Sequence, residues 1–234
     1  AIKIELPPKG SALTGPIDDI LVTEENVAEY IDSKNWKLRK ASYDVIEEVL
    51  DKKTKGRVPV NDMPGSEIHE CISDSLIPRM AKDSNASALD SALRFVFGYI
   101  DYCSKGCDPS LVSSLVTSIV TGPALSATRP STSKIVDAVL MKVMQVSRNE
   151  PSSIHIVVEH LLDHGITSKK PKVVLKSTGM ILDAAKSFGA ATLPLAKVTA
   201  SAEKMLSNTN GDVRDNGINI LAEICRVVGS KDPL

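Results

Sequence analysis

Asn35-Trp36-Lys37-Leu38-Arg39-Lys40-Ala41-Ser42-Tyr43 holds the one tryptophan of the chain among basic residues, with Lys34 just ahead of it. Behind the tryptophan, apolar residues recur at helical spacing: Leu38, Ala41, Val45, Ile46, Val49 and Leu50. That spacing lines one face of a helix. The stretch therefore reads as a turn that opens a helix, with the indole at the mouth of the turn. A core tryptophan more often stands inside such a pattern than at its first position. Comparable turn-to-helix openings recur down the chain and predict one edge of a helical solenoid.

Composition agrees. The chain is 42 % hydrophobic but only 3 % aromatic, and cores of Ala, Leu, Val and Ile suit closely packed helix pairs better than sandwiches or barrels. No apolar run approaches the roughly 20 residues that span a bilayer, and the N-terminus carries no signal-peptide pattern. The chain opens on Ala1, not Met, which points to a fragment or an internal domain. A net charge of −1 offers no global attraction to nucleic acid, so affinity for an acidic partner has to come from local clustering. Cys71, Cys103, Cys107 and Cys225 match neither a zinc signature nor a disulfide framework, which suits a reduced, intracellular protein.

Residues 1–16, with Pro7-Pro8, Gly10, Gly15 and Pro16, read as an N-terminal arm or linker, and 17–234 as one domain. A first helix carries Val27, Ala28, Tyr30 and Ile31, and the Trp36 helix runs to about Lys52. After a polar loop, one helix is expected from Ser66 to Lys82 and its partner from Ala86 to Cys103. Asp108-Pro109 opens the next, with Asp as cap and Pro in the first position, and Gly122-Pro123 stops it. Its partner follows the turn Ala127–Lys134. Glu150-Pro151-Ser152 opens another helix that Gly165 terminates, followed by one from Pro171 to Gly189. Leu193–Leu206 and Gly211–Val228 form the last pair. The turns at Pro130, Pro171 and Asp212 recur at about 40 residues, a HEAT-type period. The expected architecture is all-α: a HEAT-repeat solenoid of five to six antiparallel helix pairs, each burying its apolar face against the next.

In such a solenoid the turns within the pairs share one edge. In order they offer Trp36 and Arg39 with Lys34, Lys37 and Lys40; Ser84 and Asn85; Arg129 and Lys134; Lys170 and Lys172 with Lys169; and Asn210 and Arg214. Four turns of the five are basic although the whole chain is not. A basic edge headed by an exposed tryptophan suits a folded acidic partner, because Trp and Arg are common interface anchors. The alternatives at single positions are solvated Lys and Arg, a partly packed Trp36, and an Arg214 tied to Asp212 or Asp215.

At these turns the chain resembles the TOG domains of the microtubule polymerase family. The matching stretches are N-W-K-L-R-K at Asn35–Lys40, R-P-S-T-S-K at Arg129–Lys134, K-K-P-K-V at Lys169–Val173 and N-G-D-V-R-D at Asn210–Asp215, within about residues 24–229. The resemblance implies binding of the curved αβ-tubulin dimer through the edge, with Trp36 packing on β-tubulin and Arg214 reaching α-tubulin. Arg39, Asn85, Arg129, Lys134, Lys170, Lys172 and Asn210 would add loop contacts. It further implies action at the microtubule plus end as a monomeric, internal domain of an array, in the cytoplasm at microtubules, spindle and centrosome. The second turn carries no strong family signature, and a usual sixth repeat has only a short tail to form it after Gly229. The competing readings are a HEAT adaptor that binds another protein on a concave helical face and a CLASP-type domain.

His160 and His164 stand four apart on one helix face, as two metal ligands require. However, Glu159-His160-Leu161-Leu162-Asp163-His164 is not the H-E-x-x-H order, and His155 supplies no evident third ligand. No nucleophile elbow, P-loop or dinucleotide fingerprint occurs. The sequence thus predicts a binding module with no catalytic residue, metal or cofactor, and without nucleic-acid or membrane partners.

Overall fold

A computed structural model of the chain describes residues 3–10, 15–56, 76–102, 109–146 and 152–229. The first pair is α1 (Val27–Tyr30) and α2 (Trp36–Gly56). The second is α3 (Leu76–Met80) and α4 (Ala86–Tyr102). The third is α5 (Pro109–Thr121), with the short α6 (Pro123–Ser126), and α7 (Pro130–Val146). The fourth is α8 (Ser153–His160), prolonged by a π-helical turn over Leu161–Gly165, and α9 (Pro171–Phe188). The fifth is α10 (Leu195–Ala200) with α11 (Ala202–Leu206), and α12 (Gly211–Gly229). Among the described residues the β structure amounts to one isolated bridge, Ile17 to Ile20.

First helices stack in one layer, α3 on α5 on α8, and second helices in the other, α2 on α4 on α7 and α9 on α12. Between the layers lies one continuous apolar core, in which Ile46, Ile77, Leu93, Phe95, Leu115, Ile135 and Ile181 are sealed from solvent. The all-α solenoid of five to six helix pairs expected from the sequence is the fold observed, with five pairs among the described residues.

The second helices start in register. Their first intrahelical hydrogen bonds run back to the carbonyls of Asn35, Asn85, Arg129, Lys170 and Asn210, which are therefore the cap residues. Three residues past each cap the side chain is buried: Leu38, Ala88, Thr132, Val173 and Val213. Seven past the cap it is buried and small in four of the five cases, namely Ser42, Ala92, Ser177 and Gly217, with Val136 in the third pair. With those positions facing inward, the cap and the next two residues are left on the outer rim.

Some boundaries differ from expectation. Most of the helix expected over Ser66–Lys82, and the cap expected at Asp108, lie outside the described residues, as do Cys71, Cys103 and Cys107; of the opening expected at Glu150-Pro151-Ser152, Ser152 is described and caps α8, its Oγ accepting from His155 N. Gly122-Pro123 does end α5, but Pro123 in a first helical position starts the extra turn α6. The expected Leu193–Leu206 helix is broken at Ser201. Gly189 ends α9 with φ +90, a conformation that suits glycine. Gly165 is not a terminator of that kind. It lies inside the π-helical turn, where a Cβ would stand 2.1 Å from Ser177 Oγ and 2.7 Å from Ser177 Cβ. Close approach of α9 is what requires glycine there.

The arm is also more than a linker. Leu6 packs against the core. Lys9 Nζ meets Glu47 at 2.6 Å and Asp44 at 3.4 Å on α2, while Arg94 on α4 donates to the carbonyls of Pro7 and Pro8.

Gly165→Ala is expected to destabilise the fold by about 1–3 kcal/mol, the usual cost of forcing an atom into a close-packed contact. Urea denaturation measures this, and pairing the change with Ser177→Gly is expected to recover part of the loss.

Candidate partner-binding edge

The rim is shaped by amide capping. Asn35 Oδ1 accepts from Lys37 N at 3.0 Å, Asn85 Oδ1 from Ser87 N and Ala88 N at 2.9 and 3.2 Å, and Asn210 Oδ1 from Asp212 N and Val213 N at 2.8 and 3.4 Å. These satisfy helix-start amides that have no partner within the helix. Where the cap is Arg129 or Lys170, proline follows and no amide exists in the first position to satisfy. A second bond braces four of the turns: the cap amide donates to Ser33 Oγ, Asp83 Oδ1, Ser168 Oγ and Asn208 Oδ1, each two residues upstream. Asn85 and Asn210 thus hold their turns in shape, with their carbonyl oxygens directed at their own helices.

Trp36 sits immediately after its cap, half-buried, and belongs neither to the buried core nor to the side chains packed on it. Lys34 and Lys37 beside it are exposed. Arg39 is directed along the edge. Its Nε and Nη2 donate to Asp83 Oδ2 and Oδ1 at 2.7 and 2.9 Å, and its Nη1 to the carbonyls of Ser33 and Lys34 at 2.7 and 3.1 Å. The Asp83 side chain is 1 % exposed and also accepts from Tyr43 Oη at 3.2 Å and from Asn85 N at 2.9 Å. The hydrogen bonds to Asp83 hold the Arg39 guanidinium above its ordinary pKa, and burial, with Asp83 next in effect, pushes the Tyr43 phenol up. This bidentate pair fastens the first turn to the second.

Farther along, Arg129 is exposed, with Nη1 3.2 Å from Ser87 Oγ and 3.6 Å from Asp90. Lys176 Nζ on α9 meets Asp137 at 2.5 Å and Ser133 Oγ at 2.7 Å on α7, and Asn216 on α12 donates to Thr178 on α9 at 3.1 Å. Lys134, Lys169, Lys170 and Lys172 are exposed and enter no ion pair among the described residues. Arg214 is exposed, and its Nη1 donates to the carbonyls of Asn208 and Thr209 at 2.8 and 3.0 Å. It pairs with neither Asp212 nor Asp215. The five caps thus bring the predicted residues to one rim, with solvent-facing cations at the first turn (Lys34 and Lys37) and at the third, fourth and fifth.

Reading the sequence missed Asp83 as the hub between turns. Its signal was the echo of Ser33-x-Asn35 and Asn208-x-Asn210 in Asp83-x-Asn85. It also missed the ties that Arg94 and Lys9 make to and from the arm. His160 is a packing residue between α5 and α8: its Nε2 lies 2.8 Å from Ser113 Oγ and its Nδ1 3.4 Å from Thr117 Oγ1, with the His164 ring stacked at 5.7 Å. Burial, then the neighbouring His164, holds its pKa below the ordinary histidine value. Among the described residues no group of three or more His, Cys, Asp or Glu side chains is gathered as a metal site requires, and no helix is long and apolar enough to cross a membrane.

Asp83→Ala is expected to cost about 3 kcal/mol or more, because it leaves Arg39 and Tyr43 without their shared acceptor. As Trp36 is the sole tryptophan, its emission and its quenching by acrylamide report the first turn separately from global unfolding. Both are expected to rise in exposure in the variant at denaturant concentrations where the helices, followed by circular dichroism, stay folded. Tyr43→Phe removes one hydrogen bond and is expected to cost about 1 kcal/mol.

Two relatives share sequence with the chain. Centrosomal protein 224 of Dictyostelium discoideum is 24 % identical over 205 residues, and Protein mini spindles of Drosophila melanogaster is 25 % identical over 155. The matches cover 87 % and 66 % of this chain but only 9 % and 7 % of those proteins' own length. Among solved structures, one from a study of tubulin recruitment by microtubule polymerases with TOG domain arrays superposes with a TM-score of 0.67 at 18 % identity, covering 84 % of this chain and 39 % of that one. The MAST/Orbit N-terminal domain gives 0.65 at 14 % identity, covering 88 % and 84 %. The family model of the XMAP215/Dis1/CLASP TOG domain matches residues 22–234, and the chain belongs to that family.

Proposed function

We propose that this chain is a tubulin-binding module, not an enzyme, which holds the αβ-tubulin dimer along the rim of its second-helix caps. The observation that carries the reading is the register of the five caps. It sets a half-buried Trp36 at one end of a rim whose later turns present Arg129, Lys134, Lys170, Lys172 and Arg214 to solvent. An indole anchor followed by a run of cations suits a folded partner with an apolar contact at one end and an acidic surface beyond it. Support comes from the solved relatives, whose subjects are tubulin recruitment by polymerase arrays and TOG–tubulin binding specificity.

In this reading Trp36 packs on β-tubulin and Arg214 reaches α-tubulin, with Arg129, Lys134, Lys170 and Lys172 between them. Arg39, Asn85 and Asn210 act mainly as positioning residues, since their polar atoms hold the turns. The domain works as a monomer within an array and contributes to polymerisation at microtubule plus ends, where a tether raises the local tubulin concentration. Its place is the cytoplasm, at microtubules, spindle and centrosome, in keeping with a centrosomal and a spindle relative.

The purified chain is expected to co-elute with soluble tubulin in gel filtration at low salt and to lose the shift as ionic strength rises. Trp36→Ala and Arg214→Ala are each expected to weaken binding about 30-fold, the effect of losing an anchor worth about 2 kcal/mol. Co-elution that survives the double substitution would overturn the edge as the binding surface.

A further inference from the structure

Three charged residues among the described ones are more than nine-tenths buried: Lys40, Asp83 and Arg94. Lys40 has Asp44 at 2.5 Å, and Asp83 has Arg39 at 2.7 Å. Arg94 has no carboxylate in ion-pair reach among the described residues. Its Nη2 donates to the carbonyls of Pro7 and Pro8 in the arm. Carbonyl dipoles hold the guanidinium in place but leave a full positive charge buried without a counter-ion among the described residues, a costly arrangement.

Arg94 borders a cavity of about 140 Å³ between the arm and the second and third turns. Lys9, Lys40 and Arg129 line the same cavity, together with the Ser87 hydroxyl and Asp90. Glu47 and Asp44 answer the two lysines, and Asp90 answers Arg129 while it accepts from Ser131 Oγ at 3.0 Å. Four cations therefore meet three carboxylates, and the unmatched charge is that of the buried Arg94.

We propose that this cavity binds a phosphate-class oxyanion, either free phosphate or the phosphoryl group of a monoester. Arg94 is the central donor and Arg129 the flanking cation at the mouth. With Nη2 committed to the two arm carbonyls, Arg94 has its Nη1 and Nε N–H groups left to donate, and a guanidinium N–H to a phosphoryl oxygen is a charge-assisted hydrogen bond. Ser87 Oγ accepts from Arg129 and keeps its own proton for a ligand oxygen. The volume accommodates a tetrahedral anion with room for one ester substituent. The site shares Arg129 with the rim proposed to bind tubulin, but its central donor Arg94 lies off that rim and phosphate binding is measured without tubulin, so failure of one reading does not entail failure of the other.

Calorimetric titration of the whole chain tests this, with inorganic phosphate and O-phosphoserine as probes and potassium chloride holding ionic strength constant. The expected result is saturable binding at one site, weakened at least about tenfold in Arg94→Met, as loss of a charged hydrogen-bond donor implies. Arg129→Gln leaves the contacts of Arg94 with the arm in place and is expected to weaken binding severalfold. Tighter binding of phosphoserine assigns a monoester as ligand, and tighter binding of inorganic phosphate assigns the free anion. Absence of saturable heat with both probes overturns the proposal, and so does unchanged affinity in Arg94→Met. If Arg94→Met does not fold, unchanged phosphate affinity in Arg129→Gln overturns it alone.

Discussion

Each second helix buries the side chain three residues past its cap, and the outer rim of the molecule depends on that constraint. A helix capped at Asn35 with Leu38 pointing into the core has no freedom to bury Trp36, which sits two residues earlier on the helix surface. The same rule applied at Asn85, Arg129, Lys170 and Asn210 brings five turns into one line, although they are separated by 40 to 50 residues of sequence. The hydrophobic effect supplies the energy, since Val173 and Val213 each gain by leaving water. The geometry comes from hydrogen bonding: capping settles where each helix begins, and hence which residue falls at the inward position.

Charge along this line is divided by burial. Cations near the layer of second helices are neutralised internally: Arg39 by Asp83, Lys40 by Asp44, Lys176 by Asp137 and Lys142 by Asp101. Most of these pairs join neighbouring helix pairs, so they fix the lateral spacing of the repeats. At the fourth turn Lys170 and Lys172, on either side of Pro171, are exposed and find no carboxylate among the described residues, whereas Arg129 at the other proline-flanked cap reaches Asp90. A chain of net charge −1 thereby presents a positive rim, because its acidic residues serve the joints between repeats and its unpaired lysines serve the outside.

The solenoid was legible because its signals are local. Helical periodicity and Asn or Pro at a helix start lie within a dozen residues of one another, and the turns then repeat that local pattern about every 40 residues. The pairing of Arg39 with Asp83 spans 44 residues, and the Asp83-x-Asn85 echo marks Asp83 as a turn residue without naming Arg39 as its partner. Arg39 stands in a run of cations that looks solvent-facing, and Asp83 looks like a simple cap. Gly165 was misread for a related reason. Its position at the end of an apolar run fits a terminator, whereas the demand for glycine comes from Ser177 across the pair. The arm looked like a linker because proline and glycine dominate it, yet the two proline carbonyls are the groups that Arg94 holds. Contacts through space between segments far apart in sequence are what a single sequence conceals.

The same distinction explains why two matching motifs do different work. Asn35-x-x-x-Arg39 and Asn210-x-x-x-Arg214 are alike in sequence and in local structure: the asparagine caps, and the arginine Nη1 binds the carbonyls six and five residues back. That shared bond orients each guanidinium along the edge of its own turn. Arg39 then meets a carboxylate on the next turn and becomes a joint. Arg214 meets none among the described residues, so its remaining donors stay in water, pre-oriented and unneutralised. An arginine held by two carbonyls but lacking a counter-charge has already lost much of the freedom that an interface contact would cost, and so its binding of an acidic surface is favoured. The local motif sets the direction of the side chain, and the neighbouring repeat decides whether that side chain closes the fold or stays in solvent.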